Sequence, residues 1–224
     1  MLDKVRSLFQ PEAMPMHAAR SAAVLAPTRA PVHGTLRHSN GLQEFLRGWD
    51  KAEGRRVLDL GCTSRSNLTY FTERDHSIYS DDLLLECAEA RYQVITDAGP
   101  GFDAALWLRE NLQFSAARFD AILLWDLVDY LPEPLVKPLL ERLTSVLRPG
   151  GTVLSYFHTR DAGPEAPFVR YHIYDDETLE LRPGRSQRLQ RIFNNRHVEN
   201  LFHGYRSVKF FLARDNLREV IAIK

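Results

Sequence analysis

The strongest constraint on the fold is a near-continuous apolar run at residues 119–125, which is typical of a strand buried on both faces. Apolar side chains follow at helical spacing between Leu135 and Leu147, and Pro149-Gly150-Gly151 then ends that helix. Residues 152–157 form the next apolar run. A strand, a helix and a second strand in this order predict a parallel strand pair joined by a crossover helix.

The rest of the chain extends this alternation of strands and helices. Helices are predicted around residues 42–49, 68–71 and 102–114, and strands at 55–60, 76–80 and 92–96. The chain ends in two strand-like runs, residues 207–213 and 217–223, and the polar segment between them predicts an antiparallel hairpin. The expected fold class is therefore α/β, with a doubly wound, mostly parallel sheet and a C-terminal antiparallel hairpin.

The amino-acid composition limits which binding partners and which cellular location are expected. The 224 residues suffice for one well-buried domain, and Lys plus Arg equals Asp plus Glu at 29 each, so no DNA partner is expected. No stretch approaches the roughly 20 apolar residues that span a bilayer. The two cysteines, Cys62 and Cys87, form neither a disulfide framework nor a metal-ligand spacing. We therefore expect a cytoplasmic protein without a membrane partner or a metal.

The first 36 residues differ in composition from the rest. They carry four prolines among alanines and arginines, and such a segment cannot bury much apolar surface. We predict a loosely ordered N-terminal arm at residues 1–36, followed by a single domain at residues 37–224.

Three segments resemble the class I S-adenosylmethionine-dependent methyltransferases. They are Val57-Leu58-Asp59-Leu60-Gly61, the run from Phe119 to Asp126, and Leu147-Arg148-Pro149-Gly150-Gly151-Thr152-Val153-Leu154. In that family they correspond to the first strand and its loop, the fourth strand, and the turn into the fifth. The terminal hairpin is similar to the family's sixth and seventh strands. The resemblance covers residues 42–224 and implies a Rossmann-like, seven-stranded sheet with S-adenosylmethionine as cofactor.

The resemblance also places the cofactor loop directly after the first strand. This loop comprises Gly61, Cys62, Thr63, Ser64, Arg65, Ser66 and Asn67. The family's Gly-x-Gly-x-Gly keeps only its first glycine here, because Thr63 and Arg65 occupy the other two places. Either the backbone avoids positive φ at these positions or the pocket is narrowed. The side chains of Ser64, Ser66 and Asn67 either bind the cofactor carboxylate or only cap the next helix.

Carboxylates at the strand ends are the remaining cofactor candidates. Asp81 and Asp82 follow the second strand, where the family places the acid that binds both ribose hydroxyls, and Asp81 is the preferred one. Asp97, after the possible third strand, is expected near the adenine amino group. Asp59 lies inside the first motif, where an acid orders the loop. Asp126 and Trp125 are expected to line the pocket after the fourth strand, although Trp125 also suits the core.

The residues that would act on a substrate are less defined. Candidate general bases are Asp129, Tyr130, His158 and His172, but they form no recognisable constellation in the sequence. The segment at residues 161–195 lies where this family builds substrate specificity, and the runs 168–174 and 178–181 predict an extra hairpin there. A basic run follows, comprising Arg182, Arg185, Arg188, Arg191 and Arg196, which either meets an anionic ligand or lies on a solvated face.

Two functions remain open from the sequence. The first is a methyltransferase that acts on a small molecule, which Asp59, Gly61 and the paired aspartates favour. The second is a catalytically silent protein of the same fold that binds a partner, which the altered loop favours. The absence of Gly-x-Gly-x-x-Gly argues against a nicotinamide oxidoreductase, and the absence of an Asn/Asp-Pro-Pro-aromatic motif argues against methylation of adenine in DNA or of glutamine.

Overall fold

The computed structural model describes residues 33–47, 49, 54–97, 99–160, 167–212 and 215–224. The predicted arm therefore lies, up to residue 32, outside the described residues, and its loose order stays a prediction. Residues 35 and 36, which the sequence placed in the arm, begin strand β1 (Thr35–His38). No described helix is long and apolar enough to cross a membrane.

A six-stranded sheet forms the centre of the described fold. Its strands are β2 (Arg56–Asp59), β3 (Ser77–Ser80), β6 (Phe119–Trp125), β7 (Leu147–His158), β10 (Ser207–Leu212) and β11 (Leu217–Ile223). The order across the sheet is β10-β11-β7-β6-β2-β3. Strands β3, β2, β6 and β7 are parallel, and β11 lies antiparallel between β10 and β7. The expected α/β class and the antiparallel terminal hairpin are confirmed.

The predicted third strand is not part of this sheet. Residues 93–96 form β4 (Gln93–Thr96), which pairs antiparallel with β5 (Gly99–Phe102) in a separate two-stranded sheet. Three of the four β4 residues are exposed, and only two residues separate β4 from β5, so pairing between them closes only a short loop. Among the described residues, the central sheet therefore has six of the expected seven strands, and the remaining predicted strand lies in the two-stranded sheet.

Helices cover both faces of the central sheet. They are α1 (Asn40–Leu46), α2 (Arg65–Thr72), α3 (Leu83–Cys87), α4 (Ala104–Glu110), α5 (Glu133–Val146) and α6 (Asn195–Leu201). One apolar cluster contains the buried residues of α5 and of the elements packed around it. A second cluster contains the buried residues of α1, of α2 and of the opposite face of the central sheet. Short 3₁₀ turns occupy Ala90–Tyr92 and Leu127–Tyr130. The second of these turns brings Asp129 back towards the end of β7.

The insert forms a second sheet of three strands. Its strands β8 (Pro167–Ile173) and β9 (Thr178–Ser186) make the predicted hairpin, and β1 adds to the far side of β9. The segment that leads into α1 is therefore hydrogen-bonded to the insert. A buried ion pair between Arg37 and Glu219 (2.7 Å) joins β1 to β11 of the central sheet. These contacts fix β8 over the carboxyl ends of the parallel strands.

Candidate functional site

A cleft opens at the carboxyl ends of the parallel strands, where open α/β sheets bind their ligands. Four segments line it: residues 60–62 after β2, Asp82 with Leu84 after β3, residues 125–127 after β6, and residues 168–171 of β8. The first three come from the central sheet, and the fourth comes from the insert. The cleft therefore brings together Gly61, Cys62, Asp82, Trp125 and Asp126 from the residues that the sequence singled out.

Asp59 organises the loop on one wall of the cleft. Its carboxylate accepts hydrogen bonds from the Gly61 amide (3.2 Å), the Asn67 amide nitrogen (2.9 Å) and the Trp125 indole nitrogen (2.7 Å). Burial raises the pKa of Asp59, although all three hydrogen bonds act to lower it. Asp59 therefore holds the loop in place through both of its oxygens, and it is not among the residues that line the cleft.

Gly61 lacks a side chain because the indole ring of Trp125 occupies that space. A Cβ added to Gly61 would lie 2.6 Å from Trp125 Cδ1, which is closer than van der Waals contact permits. Trp125 itself has a φ of 48°, a conformation that is costly for a bulky residue. Thr63 and Arg65 are absent from the described residues with positive φ. The first alternative drawn from the missing glycines is therefore confirmed, because φ is not positive at either position; neither residue lines the cleft, so the narrow enclosed space is not due to their side chains.

Tyr171 of β8 closes the cleft from the other side. Its ring stacks on Trp125 with the centroids 5.2 Å apart and the planes within 2° of parallel, and both side chains are buried. The cleft comprises about 310 Å³ including its open mouth, but its enclosed part has room for about one water molecule. A ligand as large as a nucleoside enters only after this stack moves.

The start of α2 ties the cofactor loop to the insert. The Ser64 hydroxyl accepts the Asn67 amide (3.2 Å) as the helix N-cap, and it also bonds His172 Nδ1 (2.7 Å). The Asn67 side chain accepts the Ile173 amide (2.7 Å) and donates to the Tyr171 carbonyl (3.3 Å). Burial, followed by the charge of Arg182, lowers the pKa of His172 to about 4, so this imidazole is neutral at pH 7.

The two adjacent aspartates after β3 take different positions relative to the cleft. Asp82 lines the cleft, whereas Asp81, the one preferred from the sequence, is not among the lining residues. Asp82 also caps α3 by accepting the Leu85 amide (3.2 Å). Burial, with a hydrogen bond to Asp82, raises the pKa of the Cys62 thiol to about 12 and keeps that thiol protonated. Thr63 is exposed and accepts a hydrogen bond from the Ser80 hydroxyl (3.3 Å).

Asp97 does not reach the cleft. It lies exposed in the turn between β4 and β5, and it is not among the residues that line the cleft. Its expected contact with adenine depended on a third strand of the central sheet, and that strand is absent there in the described structure. The Asp97 assignment therefore loses its structural basis.

The opposite wall carries a buried acidic cluster with a histidine. Asp126 accepts the Tyr171 hydroxyl (3.0 Å) on Oδ2, while its Oδ1 is buried without a hydrogen-bond partner. Asp129 accepts both the backbone amide (2.6 Å) and the ring Nδ1 (2.9 Å) of His158. His158 Nε2 lies 4.0 Å from Asp126 Oδ2. The sequence named Asp129 and His158 only as separate candidates, because nothing in it shows that the end of β7 returns beside the 3₁₀ turn.

Burial dominates the electrostatics of this acidic cluster. It raises the pKa of Asp126 to about 7, although His158 nearby acts in the opposite direction. Burial also raises the pKa of Asp129, against its two hydrogen bonds from His158. For His158, burial disfavours the imidazolium, but the hydrogen bond to Asp129 and the two carboxylates outweigh it and raise the pKa. Tyr130 packs its ring edge-on against His158 at the same place.

The basic run of the insert lies outside the cleft. Arg182 pairs with Glu180 (2.7 Å), and Arg191 pairs with Glu133 while its guanidinium lies over Phe193 (5.6 Å). The arginine that lines the cleft is instead Arg170 of β8, which the sequence did not single out. Arg170 is exposed and Tyr171 is buried, although both line the cleft.

The fold and the cleft define an open α/β protein of the class I methyltransferase type. Residues 36–205 match the family described as methyltransferase domain. The chain belongs to this methyltransferase family. No curated protein sequence matches it.

Several solved structures are similar in fold. A Mesorhizobium loti S-adenosylmethionine-dependent methyltransferase is 17% identical, with 82% of this chain and 95% of that chain covered and a TM-score of 0.48. A Burkholderia thailandensis 1,6-didemethyltoxoflavin-N1-methyltransferase, solved with 1,6-didemethyltoxoflavin and S-adenosylhomocysteine, is 16% identical, with 83% and 77% covered and a TM-score of 0.45. An Archaeoglobus fulgidus S-adenosylmethionine-dependent methyltransferase is 14% identical, with 82% and 93% covered and a TM-score of 0.46.

Proposed function

We propose that this protein is an S-adenosylmethionine-dependent methyltransferase that acts on a small molecule. The observation that carries the proposal is the cleft at the carboxyl ends of β2, β3 and β6, bounded by Gly61, Asp82 and Asp126, in a chain of the methyltransferase family. A cytoplasmic location is part of the same proposal, since both cysteines are free thiols.

The residues of the cleft fit the cofactor chemically. Asp82 offers a carboxylate for the ribose hydroxyls, and Gly61 lets the backbone come close to the ligand. The enclosed space is too small while Tyr171 stacks on Trp125, so binding requires that stack to separate. When bound, the cofactor supplies a methyl group on a sulfonium. The chain itself contributes orientation and the exclusion of water, which β8 provides by covering the cleft.

Titration calorimetry tests the proposal directly. We expect S-adenosylmethionine and S-adenosylhomocysteine to bind, and Asp82→Asn to weaken both because the amide accepts fewer hydrogen bonds from the ribose. Glu141→Gln is the matched control, since Glu141 is an exposed residue of α5 that does not line the cleft and forms an ion pair with Lys137 (3.9 Å). Absence of binding at millimolar ligand would overturn the proposal.

A second candidate function is a catalytically silent binding protein of the same fold. The observation that favours it is the Trp125–Tyr171 stack, which leaves the enclosed part of the cleft with room for about one water molecule. The same calorimetry separates the two functions. Binding of S-adenosylhomocysteine, together with transfer of a labelled methyl group to any acceptor, excludes the silent protein.

A further inference from the structure

The wall of the cleft formed by Asp126 is chemically unlike the wall formed by Asp59. Asp126 is buried and lines the cleft, but only one of its oxygens has a partner. Among the described residues its Oδ1 has no hydrogen-bond partner, as is also true of Asp129 Oδ1, and buried acceptors of this kind are uncommon because they cost free energy. A buried oxygen without a partner at the wall of a ligand cleft is available to a donor that arrives with the ligand.

His158 connects this carboxylate to the outside of the protein. Its Nδ1 donates to Asp129, which fixes the orientation of the ring, so Nε2 is the atom left to exchange a proton. That nitrogen lies 4.0 Å from Asp126 Oδ2, and 16% of the His158 side chain is exposed. A small movement of either side chain therefore brings the two groups into hydrogen-bond contact. The arrangement is an acid, a histidine and a second acid that orients the histidine.

We infer that Asp126 is the general base of the reaction proposed above, on which this inference rests, and that the methyl acceptor is a hydroxyl or a ring N–H. His158 passes the proton from Asp126 to solvent, and Asp129 is the positioning residue that holds His158. A methyl acceptor that has no proton to lose, such as a carboxylate, does not need a general base or a proton relay. The substrate class is therefore an alcohol, a phenol or an N–H heteroaromatic compound.

The proposed methyl transfer is a single displacement. The proton of the acceptor O–H or N–H bond moves to Asp126 Oδ1, and the electron pair of that bond forms the new bond to the methyl carbon. The bond between that carbon and the sulfur of the methyl sulfonium breaks, and sulfur keeps its electrons. His158 releases its Nε2 proton to solvent and, after the Asp126 carboxyl group turns, takes up the transferred proton, so that the carboxylate is restored.

The neighbours of Asp126 determine the pH at which it accepts a proton. Burial raises its pKa to about 7, the charge of His158 opposes this, and the charge of Asp129 adds to it. The other ionisable groups that act on this cluster are Tyr171, Tyr130, Tyr156, Arg218 and Asp215. A base with a pKa close to the operating pH combines ionisation with proton affinity, which is the condition that favours general-base catalysis.

The first test needs no cofactor. In the protein labelled with ¹³C at the aspartate carboxyls, we expect one resonance to titrate near pH 7, to vanish in Asp126→Asn and to remain in Glu141→Gln. In His158→Gln this resonance should titrate at higher pH, because an attractive positive charge is lost. If no aspartate titrates between about pH 6 and about pH 8, or if the resonance survives in Asp126→Asn, the inference is wrong.

The second test measures transfer of a tritiated methyl group from S-adenosylmethionine to a panel of phenols, N–H heteroaromatics and carboxylic acids. We expect transfer to the first two classes, and a fall in kcat of about 100-fold or more in Asp126→Asn. The fall should be smaller for pentafluorophenol, which is already ionised, than for phenol. His158→Gln should shift the pH profile of kcat, a change that a purely structural role would not produce.

The outcomes separate this inference from the proposed function. Absence of S-adenosylhomocysteine binding to the wild type overturns both. Binding together with transfer only to carboxylic acids, or with equal rates in the wild type and Asp126→Asn, overturns the general base alone. Binding of S-adenosylhomocysteine to Asp126→Asn within about twofold of the wild type, together with the loss of transfer, supports the assignment.

Discussion

Asp59 and Asp126 stand at the ends of adjacent parallel strands, β2 and β6, and both are almost completely buried. Three donors surround Asp59, whereas Asp126 receives one side-chain hydrogen bond and keeps an oxygen without a partner. Burial raises the pKa of both carboxyls. The comparison teaches that burial alone does not make a reactive acid. The number of donors around it decides whether the carboxylate serves the fold or remains available for chemistry.

The largest effect is expected for Asp59→Ala. Three buried donors, on Gly61, Asn67 and Trp125, lose their acceptor together, so the free energy of unfolding should fall by about 4 kcal/mol. Urea denaturation followed by circular dichroism measures this change. Asp126→Ala is the matched variant, and we expect a loss of about 1 kcal/mol, because a single hydroxyl donor is left unpaired. Equal losses of unfolding free energy in the two variants would show that the number of donors does not distinguish Asp59 from Asp126.

The next effect is a change in the pH dependence of stability in Asp126→Asn. The folded pKa of Asp126 is raised from 3.8 to about 7, so the folded state holds this proton more tightly than the unfolded state does. That contribution is complete below about pH 4 and is lost as the pH rises through about 7. The full shift corresponds to about 4 kcal/mol.

Asparagine does not titrate, so Asp126→Asn should gain stability relative to the wild type as the pH rises from about 4 to about 8. We expect a gain of up to about 4 kcal/mol, the size of the full shift. Urea denaturation at a series of pH values measures it. A constant difference between the two proteins over this range would show that the carboxyl has an ordinary pKa.

Gly61→Ala tests the glycine that lies between Asp59 on one wall of the cleft and Trp125 beside the other. The added methyl group would lie 2.6 Å from Trp125 Cδ1, and its accommodation should cost about 2 kcal/mol of unfolding free energy. In a Trp125→Leu background the same substitution should cost much less, because the obstructing ring is gone. A double-mutant cycle by chemical denaturation supplies the measurement. Identical costs in both backgrounds would mean that Trp125 does not determine the requirement for glycine.

The smallest effect is expected at Asp97, a carboxylate outside both walls. Asp97→Asn should change the affinity for S-adenosylhomocysteine by less than about twofold, whereas Asp82→Asn should weaken it by about tenfold, or about 1.4 kcal/mol. Calorimetry on the two variants gives both numbers. A larger loss for Asp97 than for Asp82 would restore the adenine contact expected from the sequence.

Much of the fold could be predicted from local patterns. Strands β2, β6 and β7 are apolar runs flanked by glycine or by a helical stripe, and such patterns report burial directly. The third strand was predicted at the right residues but in the wrong sheet, since β4 has only four residues and three of them are exposed. Its pairing was decided by the closeness of β5 along the chain, which residue pattern alone does not reveal.

The site could be predicted only in part. Asp59, Gly61, Asp82 and Asp126 follow strand ends, and the topology of a parallel sheet gathers such positions at one edge. The roles of Trp125 and Tyr171 could not be foreseen, since the stack joins residues 46 positions apart through the insert. The same holds for Asp129 and His158, whose contact depends on where the 3₁₀ turn returns the chain.

The stack of Trp125 on Tyr171 also makes the cleft observable by spectroscopy. Trp125 is one of three tryptophans, and the other two, Trp49 and Trp107, are buried residues that do not line the cleft. Any molecule that displaces Tyr171 changes the polarity around the indole of Trp125 and leaves the surroundings of the other two unchanged. The emission wavelength of the native protein therefore reports the occupancy of the cleft, without a dye or a label.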